Sequence, residues 1–438
     1  MKDAKMSTTM KKTLTRIYNF ATRPYHGMMA FRAANKYDYP ASGMTVIGVT
    51  GTNGKTTTCF MIYNMLRNAG KSVAMMTTVA TAINDEITPQ RAHTTTPDTR
   101  ILNKKIAEFR DADVKFLVLE VTSHALSQHR IFGVPIDIAV LTNVTHDHLD
   151  YHGTFSNYVN AKRRLFQLAA NQSKRDGRGV GVINADDPVA KYFASDVPKP
   201  LTYGVEKGDL RARQVKLRSQ GVEYFVKKGR QTLHIKTRLP GQFNVYNSLA
   251  AVGVGLTLDL TQKEIEEGIY GLTSVEGRMN QIAEGQNFDV IIDFAHTPDS
   301  FQKLLPDLKK MTKGRLIVLF GAAGKRDVSK RSVMGRLAGE NTDVVIITEE
   351  DPRGPVRPIS EQIAAGAKEA GKTLDKDLFL IDDREKAIEF ALKMAKKGDT
   401  VVLLGKGHEK TMERAKSDDP WDETEITRKF LKKLKLSS

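Results

Sequence analysis

Cysteine is almost absent from this sequence. Cys59 stands alone among 438 residues, so no internal disulfide framework can form. It follows a glycine-rich turn closely and is expected to be a small packed residue. Long apolar runs are missing too: no stretch approaches the ~18 residues that a transmembrane helix needs. The N-terminus lacks the basic start, apolar core and small-residue cleavage site of a secretory signal, so the expected location is the cytoplasm. Acidic charge is in deficit, with 51 Asp and Glu against 67 Lys and Arg, a formal charge of +16. A basic surface attracts anions such as nucleotides and acidic substrates. It has no lysine run and no basic stripe interleaved with aromatics, so nucleic acid is not an expected partner. There is no internal repeat and no low-complexity segment. The length alone argues for about three domains rather than one core.

What is present begins with VTGTNGKTTT, Val49 to Thr58. The apolar run Val46-Ile47-Gly48-Val49 reads as a buried strand. Gly51, Thr52, Asn53 and Gly54 form a tight turn, Lys55-Thr56-Thr57 follow, and a helical pattern starts with Phe60, Met61, Met65 and Leu66. Strand, glycine turn, Lys-Thr, helix is the order of a P-loop. In such a loop backbone N–H groups cradle phosphate, Lys55 neutralises charge and Thr56 can ligate Mg2+. The usual first glycine is replaced by Val49, so a strict pattern search would miss it.

Residues 1–44 hold eight Lys or Arg against Asp3 and Asp38. Leu14, Ile17, Tyr18 and Ala21 fall at helical spacing. Packing of this segment on its own domain is favoured over contact with an anionic membrane surface or a partner protein. From 45 to 275 strands alternate with helices, as at 116–119, 138–141 and the helix-like 156–169, which reads as a mostly parallel sheet. Val215, Leu217, Val222, Tyr224 and Leu233 suggest short antiparallel strands inserted within 201–240. From 279 to 438 apolar strands at 290–292, 316–319, 344–347, 378–380 and 401–404 alternate with helices at 299–311, 359–370 and 384–396. That is a doubly wound pattern, whose ligands gather at the strand C-terminal ends. Four such ends carry charged or glycine residues: Asp293 and His296; Gly321 and Lys325; Glu349 to Arg353; Gly405 to Glu409. The fold class is therefore α/β, a central P-loop ATPase domain followed by a Rossmann-like domain.

A P-loop ATPase needs an Mg2+ ligand at the end of a neighbouring strand. Glu120, opening EVTSHALSQHR after the strand 116–119, fits that position. His148, in THDHLDYHGT after the strand 138–141, is a second candidate. No cysteines accompany it, so a structural zinc site is not expected.

Eleven stretches then fall in a familiar order: TGTNGKTTT, HTTTPD (93–98), EVTSHAL (120–126), TNVTHDHLDYHGT (142–154), YVNAKRRLF (158–166), GQFNVYNSLAA (241–251), EGRMN (276–280), DFAHTPDS (293–300), GKRDVSKR (324–331), EDPR (350–353) and GKGHE (405–409). Together they resemble the Mur ligases, and within them the UDP-N-acetylmuramoyl-tripeptide synthetases, over about residues 45–438. The resemblance implies ATP-dependent amide formation. A substrate carboxylate takes the γ-phosphate to become an acyl phosphate, and an incoming amine displaces the phosphate.

It also implies roles. Lys55 would hold the β- and γ-phosphates, with Thr56 on Mg2+. Glu120 and His148 match metal positions. Lys162 matches a lysine that the family carbamylates, which would let it hold a second Mg2+. Asn247 matches an adenine contact. Arg278 and Asp293 resemble phosphate and ribose contacts made when the C-terminal domain closes. Thr95, Thr96, Ser123 and Arg130 resemble the residues that hold UDP-muramoyl-dipeptide, while His124 and His129 are left to packing. Relatives that add meso-diaminopimelate carry Asp-Asn-Pro-Arg, whose arginine grips the distal carboxylate. Here Arg353 is kept and Asp351 replaces asparagine, with Gly405 and Glu409 at the positions gripping the same end. Diaminopimelate is favoured, although Asp351 adds a charge that suits a cationic side chain. Small-molecule substrates and action as a monomer are expected.

One departure concerns the front. The family carries a uridine-binding domain of on the order of a hundred residues, whereas 44 precede the central block here. A UDP-linked acceptor, a lipid-linked or free peptide, and an acceptor site completed by a partner chain all stay open. Ligases of the folylpolyglutamate or poly-glutamate type share the P-loop and the lysine but usually lack HTTTPD, the EDPR-type loop and GKGHE. A nucleotide-binding protein without chemistry would not be expected to keep Lys55, Glu120, His148, Lys162 and Arg278 together.

Overall fold

Eleven strands of the N-terminal part join into one sheet, and the order in which they lie decides where a site can form. The computed structural model describes residues 23–90, 95–218 and 221–437. The helix expected around Leu14 to Ala21 lies outside these residues, as do His93 and Thr94. In chain order the strands are β1 (Thr45–Thr50), β2 (Val73–Met76), β3 (Ala80–Ile83), β4 (Glu86–Pro89), β5 (Phe116–Glu120), β6 (Ile138–Leu141), β7 (Val180–Asn184), β8 (Pro200–Gly204), β9 (Leu210–Arg218), β10 (Gly221–Lys228) and β11 (Gln231–Thr237). The sheet order is β11-β10-β9-β8-β7-β6-β1-β5-β2-β3-β4. From β8 to β2 every pairing is parallel. Such strands are covered on both faces, which is why β1 and β5 read as apolar runs rather than alternations.

The chain runs from β1 out to β2, returns to β5 beside β1, then crosses to β6 on the other flank. The C-terminal end of β1 therefore lies between those of β5 and β6, a switch point where ligands settle. The core beneath it includes Leu117, Leu119, Ala139, Leu141 and Leu165, all fully buried.

Residues 201–240 carry the expected antiparallel strands, with β10 and β11 paired in a long antiparallel ladder. The stretch is continuous with the main sheet, because β8 pairs parallel with both β7 and β9. Local alternation marks such strands but does not assign their partners.

The chain divides into two compact units, the second formed mainly by Ser274–Ser438. That unit's main sheet holds β12 (Asn280–Gln281), β13 (Asp289–Asp293), β14 (Leu316–Phe320), β15 (Val344–Ile347), β16 (Leu378–Leu380) and β17 (Thr400–Leu404), in the order β12-β13-β17-β14-β15-β16. All but the short β12 are parallel. A two-stranded hairpin follows, β18 (Thr411–Glu413) and β19 (Asp418–Pro420). Among the described residues no helix is long and apolar enough to cross a membrane.

Candidate active site

Gly54 ends the loop after β1 in a left-handed conformation, φ 83°, and gives the helix Lys55–Asn68 no side-chain cap. A Cβ at Gly54 would overlap Asn247 Oδ1, and one at Gly51 would overlap Thr142 Oγ1. Glycine is needed at both places, and the first-turn N–H groups of the helix are left for an anion. The loop is tied to its surroundings by its central residues. Asn53 N donates to Asn143 Oδ1 at 3.0 Å, and Thr142 Oγ1 donates to the Asn53 carbonyl at 2.7 Å. Thr52 Oγ1 lies 3.0 Å from the Tyr158 hydroxyl.

Two lysines converge on one neutral atom. Lys55 Nζ donates to the carbonyls of Gly51 and Thr52 at 3.1 and 2.9 Å. Lys162 Nζ, on the helix Phe155–Asp176, donates to the same Gly51 carbonyl at 2.6 Å and lies 4.4 Å from the centre of the Tyr158 ring. Lys162 is 1% exposed. Burial, and then the charge of Lys55, push its pKa well below that of an ordinary lysine. The Gly51 carbonyl is thus shared by the Lys55 ammonium and a buried lysine in which the neutral amine is favoured.

Opposite them stands Glu120, buried at the end of β5. Its Oε2 accepts from Thr56 Oγ1 at 3.0 Å and from Thr78 N at 2.9 Å. Thr57 is buried one residue further along the same helix. His148 is placed differently, on the rim of the site. Its backbone is left-handed, φ 52°, its side chain is half exposed, and its Nε2 is 3.3 Å from Asp147 Oδ2. Its ring packs edge-on against His124 at 4.8 Å. Burial lowers His124 to about 3 and His152 to about 4. Both are thus neutral near pH 7, and His152 Nε2 sits 3.0 Å from Ser123 Oγ. Among the described residues no group of three or more His, Cys, Asp or Glu is arranged to hold a metal ion. The Thr56–Glu120 pair does present two oxygen donors, the kind that Mg2+ takes. Cys59 is fully buried, with its thiol pKa raised by that burial.

The expected acceptor residues form a short relay beside Glu120. Thr96 Oγ1 donates to the Glu120 carbonyl at 3.0 Å, and Arg130 Nη1 donates to the Thr96 carbonyl at 2.5 Å. Thr95 Oγ1 lies 2.9 Å from Thr78 Oγ1. Arg130 Nε also donates to Gln128 Oε1 at 2.9 Å. Asn247, on the helix Phe243–Thr257, is bound by Asn244 and lies against the phosphate loop through Gly54. Sequence reasoning overlooked Gln128, Asp147 and Tyr158, although all three stand inside or beside the stretches already singled out.

In the C-terminal unit, Asp293 ends β13 and accepts from Met279 N and Ala295 N, each at 2.8 Å. Burial raises its pKa, and Arg278 pulls it back. The Arg278 guanidinium lies 4.6 Å from the centre of the Phe294 ring. The loop after β15 is strained, with Asp351 and Arg353 both left-handed at φ 42° and 47°. Arg353 is already engaged: its Nε donates to Glu413 Oε2 at 2.5 Å, and its Nη2 is 3.7 Å from Asp351 Oδ2. Glu409 is held by Lys406 at 2.6 Å, and Asp351 by the same lysine at 2.8 Å. Gly405 has no room for a Cβ because Glu350 Oε2 fills the space. That oxygen is buried without a hydrogen-bond partner, and burial raises the Glu350 carboxyl to about 7. Lys406, Glu413 and Glu350 were overlooked. Lys406 and Glu350 sit within motifs already quoted, whereas Glu413 comes from the hairpin and carries no local signal.

Residues 49–255 match the Mur ligase middle domain, and residues 277–407 match the Mur ligase glutamate ligase domain. A relative from Clostridium acetobutylicum, UDP-N-acetylmuramoyl-L-alanyl-D-glutamate–2,6-diaminopimelate ligase 1, is 37% identical over 411 residues, covering 93% of this chain and 82% of the relative. A solved structure of a ligase of the same description superimposes with a TM-score of 0.63 at 31% identity, covering 90% of this chain and 79% of that one. The MurF ligase from Thermotoga maritima in complex with ADP shares the fold, with a TM-score of 0.67 at 20% identity over 95% of this chain and 85% of its own.

Proposed function

Since the chain belongs to the Mur ligase family, we propose that it is an ATP-dependent amide ligase of peptidoglycan precursor synthesis. It joins meso-diaminopimelate to the D-Glu carboxylate of UDP-MurNAc-L-Ala-D-Glu. The observation that carries this reading is the pair of lysines sharing the Gly51 carbonyl at 3.1 and 2.6 Å. A nucleotide γ-phosphate would exchange that neutral acceptor for a charged one.

In this reading the first-turn N–H groups after Gly54 and the Lys55 ammonium hold the β- and γ-phosphates. Asn247 faces the adenine side, and Arg278 and Asp293 contact phosphate and ribose. Thr56 and Glu120 would hold Mg2+, with His148 as a further ligand; bound there, it would supply positive charge for the phosphate oxygens. Lys162 is suited to carbamylation because burial favours its neutral amine, the form that reacts with carbon dioxide. A carbamate there would supply oxygen donors for a second Mg2+. Thr95, Thr96, Ser123 and Arg130 hold the acceptor so that its carboxylate meets the γ-phosphate. The acceptor carboxylate attacks phosphorus, ADP leaves, and the resulting acyl phosphate meets the amine. The tetrahedral intermediate then expels phosphate.

Asp351, Arg353, Gly405 and Glu409 receive the far end of the diamino acid. Arg353 exchanges Glu413 for the distal carboxylate, while nearby acids take the distal ammonium. The same acids favour a second amine, L-lysine, whose terminus is only cationic. Residues 45–275 thus act as the ATP-binding domain and 279–438 as the amino-acid domain, in a chain that works as a monomer.

The test is phosphate release with Mg-ATP and UDP-MurNAc-L-Ala-D-Glu, with diaminopimelate, L-lysine or no amine, and mass spectrometry of the product. Diaminopimelate-dependent release with a tripeptide product is expected. Release that ignores the amine, or none with either amine, overturns the proposal.

A further inference from the structure

The helix Arg23–Lys36 turns its small side inward. It packs on the helix Thr99–Asp111 and buries Ala30, Ala33 and Ala34. The chain at Gly133 comes so close that a Cβ there would overlap Ala34. Arg110 Nη1 reinforces this packing by donating to the Tyr37 carbonyl at 3.0 Å. The large apolar side chains of the helix point the other way. Tyr25, Met28 and Phe31, spaced three residues apart, are 57, 44 and 50% exposed. A surface helix ordinarily shows the reverse pattern, with its apolar stripe inward.

Neighbouring elements extend this face. The ring of Phe132, itself exposed, meets that of Phe31 edge-on with 6.3 Å between centroids. At the other end Ile101, exposed on the helix Thr99–Asp111, lines a cavity together with Tyr25 and Arg130. A single exposed apolar side chain is ordinary, but a contiguous run from Ile101 to Phe132 marks a contact surface.

Charge decides what covers it. Exposed cations frame the face: Arg32 and Lys36 on the same helix, Arg100 and Lys104 on its neighbour. The helix Arg23–Lys36 contains no acid. Of the acids beside it, Asp98 is paired with Arg100 and Asp111 with Arg110, while Asp38 stands just past the helix end. The sequence running into the helix, residues 1–22, adds Lys2, Lys5, Lys11, Lys12 and Arg16 against Asp3. That segment would bring like charge to the face, and so would the same face of a second copy. An anionic bilayer brings the opposite charge and accepts apolar side chains at headgroup depth.

We propose that the face formed by Tyr25, Met28, Phe31, Ile101 and Phe132 docks the chain reversibly on an anionic lipid surface. The helix Arg23–Lys36 then lies in the plane of the headgroups. The proposal stands apart from the ligase reading and is tested without turnover.

Co-sedimentation of the full chain is measured with vesicles of phosphatidylcholine alone and of equal parts phosphatidylcholine and phosphatidylglycerol. Met28→Gln/Phe31→Gln removes apolar contact, and Arg32→Gln/Lys36→Gln removes charge. Leu374→Gln changes an exposed apolar residue of the C-terminal unit as a control. Each variant has its melting temperature checked against the parent. The substituted face residues stand apart from the lining of the Arg130 cavity. The parent is expected to bind anionic vesicles about tenfold more tightly than neutral ones, each double variant to lose about tenfold, and Leu374→Gln to lose nothing. Phe31→Trp adds a reporter to the lone Trp421, and its emission should move to shorter wavelength on anionic vesicles. No binding of the parent to anionic vesicles, equal binding to neutral ones, unchanged binding in Met28→Gln/Phe31→Gln, or an unmoved emission overturns the proposal. So does self-association without lipid that the same double variant abolishes in sedimentation velocity, which would give the face to a second copy.

Discussion

The two candidate sites treat their cations in opposite ways. At the phosphate loop, Lys55 and Lys162 both donate to a backbone carbonyl, a neutral oxygen. At the strand ends of the C-terminal unit the cations are matched to carboxylates: Arg353 to Glu413, and Lys406 to Asp351 and Glu409. The first arrangement sets the Lys55 ammonium beside a buried lysine whose neutral amine is favoured, which suits a ligand that brings its own negative charge. The second is built for exchange, because a zwitterionic terminus can replace one internal pair without changing the net charge. Exchange gives less affinity than filling a charge deficit, since the partner set aside must be accommodated. It gives more selectivity, since a ligand with only half of the pair leaves a buried group unmatched.

The comparison breaks first at Lys55. Lys55→Ala should cut phosphate release by roughly a thousandfold, the scale of losing a preorganised charge at a phosphoryl group. Near-normal release would mean that the convergence of lysines is structural only. Lys162→Ala comes next, with an expected loss of about a hundredfold. If a carbamate acts at that position, formate or acetate should restore part of the activity by supplying carboxylate oxygens. A variant of full activity would remove the carbamate, and one that no acid rescues would reduce Lys162 to a buried support for Gly51.

These two lysines also show how far sequence carries. Lys55 is legible locally, because strand, glycine turn and Lys-Thr follow one another. Lys162 looks like any helix lysine and was placed only through its motif, since its contact with Gly51 spans 111 residues. The parallel strands were readable from their apolar runs, and most fell within a residue or two of the expected spans, as at Phe116–Glu120 and Leu316–Phe320. The antiparallel strands within 201–240 were readable too, but not that β8 joins them to the parallel sheet. The cavity lined by Tyr25 and Arg130 was invisible for the same reason: it is made by tertiary packing, which leaves no periodic mark. Glu413 shows the limit most clearly, because its partner Arg353 lies 60 residues away in a different loop.

Exchange at Arg353 makes a smaller prediction. Arg353→Ala should raise the KM for diaminopimelate about tenfold, the worth of one charged hydrogen-bonded contact, and change that for L-lysine far less. Glu413→Gln should act in the opposite direction, lowering the KM for diaminopimelate about twofold to threefold by loosening the resident partner. Equal losses for both amines in Arg353→Ala would show that the arginine supports the strained loop and does not read the distal carboxylate. An unchanged KM in Glu413→Gln would show that exchange is not part of binding.

The smallest effect concerns Glu350, the buried carboxyl on the amino-acid side that has no resident partner at Oε2. Burial raises its pKa from 4.5 to about 7, against the pull of Lys330, Arg384 and Lys406. The folded chain therefore holds this proton more tightly than the unfolded chain does. Its contribution is greatest below the unfolded pKa and is lost as pH rises through the interval from 4.5 to about 7. Above that interval the buried charge costs about 1–3 kcal/mol. Glu350→Gln keeps the shape and removes the ionisation, so it should raise the melting temperature by a few degrees at pH 8 and hardly at all at pH 5. A shift of the same size at both pH values would mean that Glu350 stays in one protonation state throughout. The contrast between lysines held by a carbonyl and cations held by carboxylates would then rest on Arg353 and Lys406 alone.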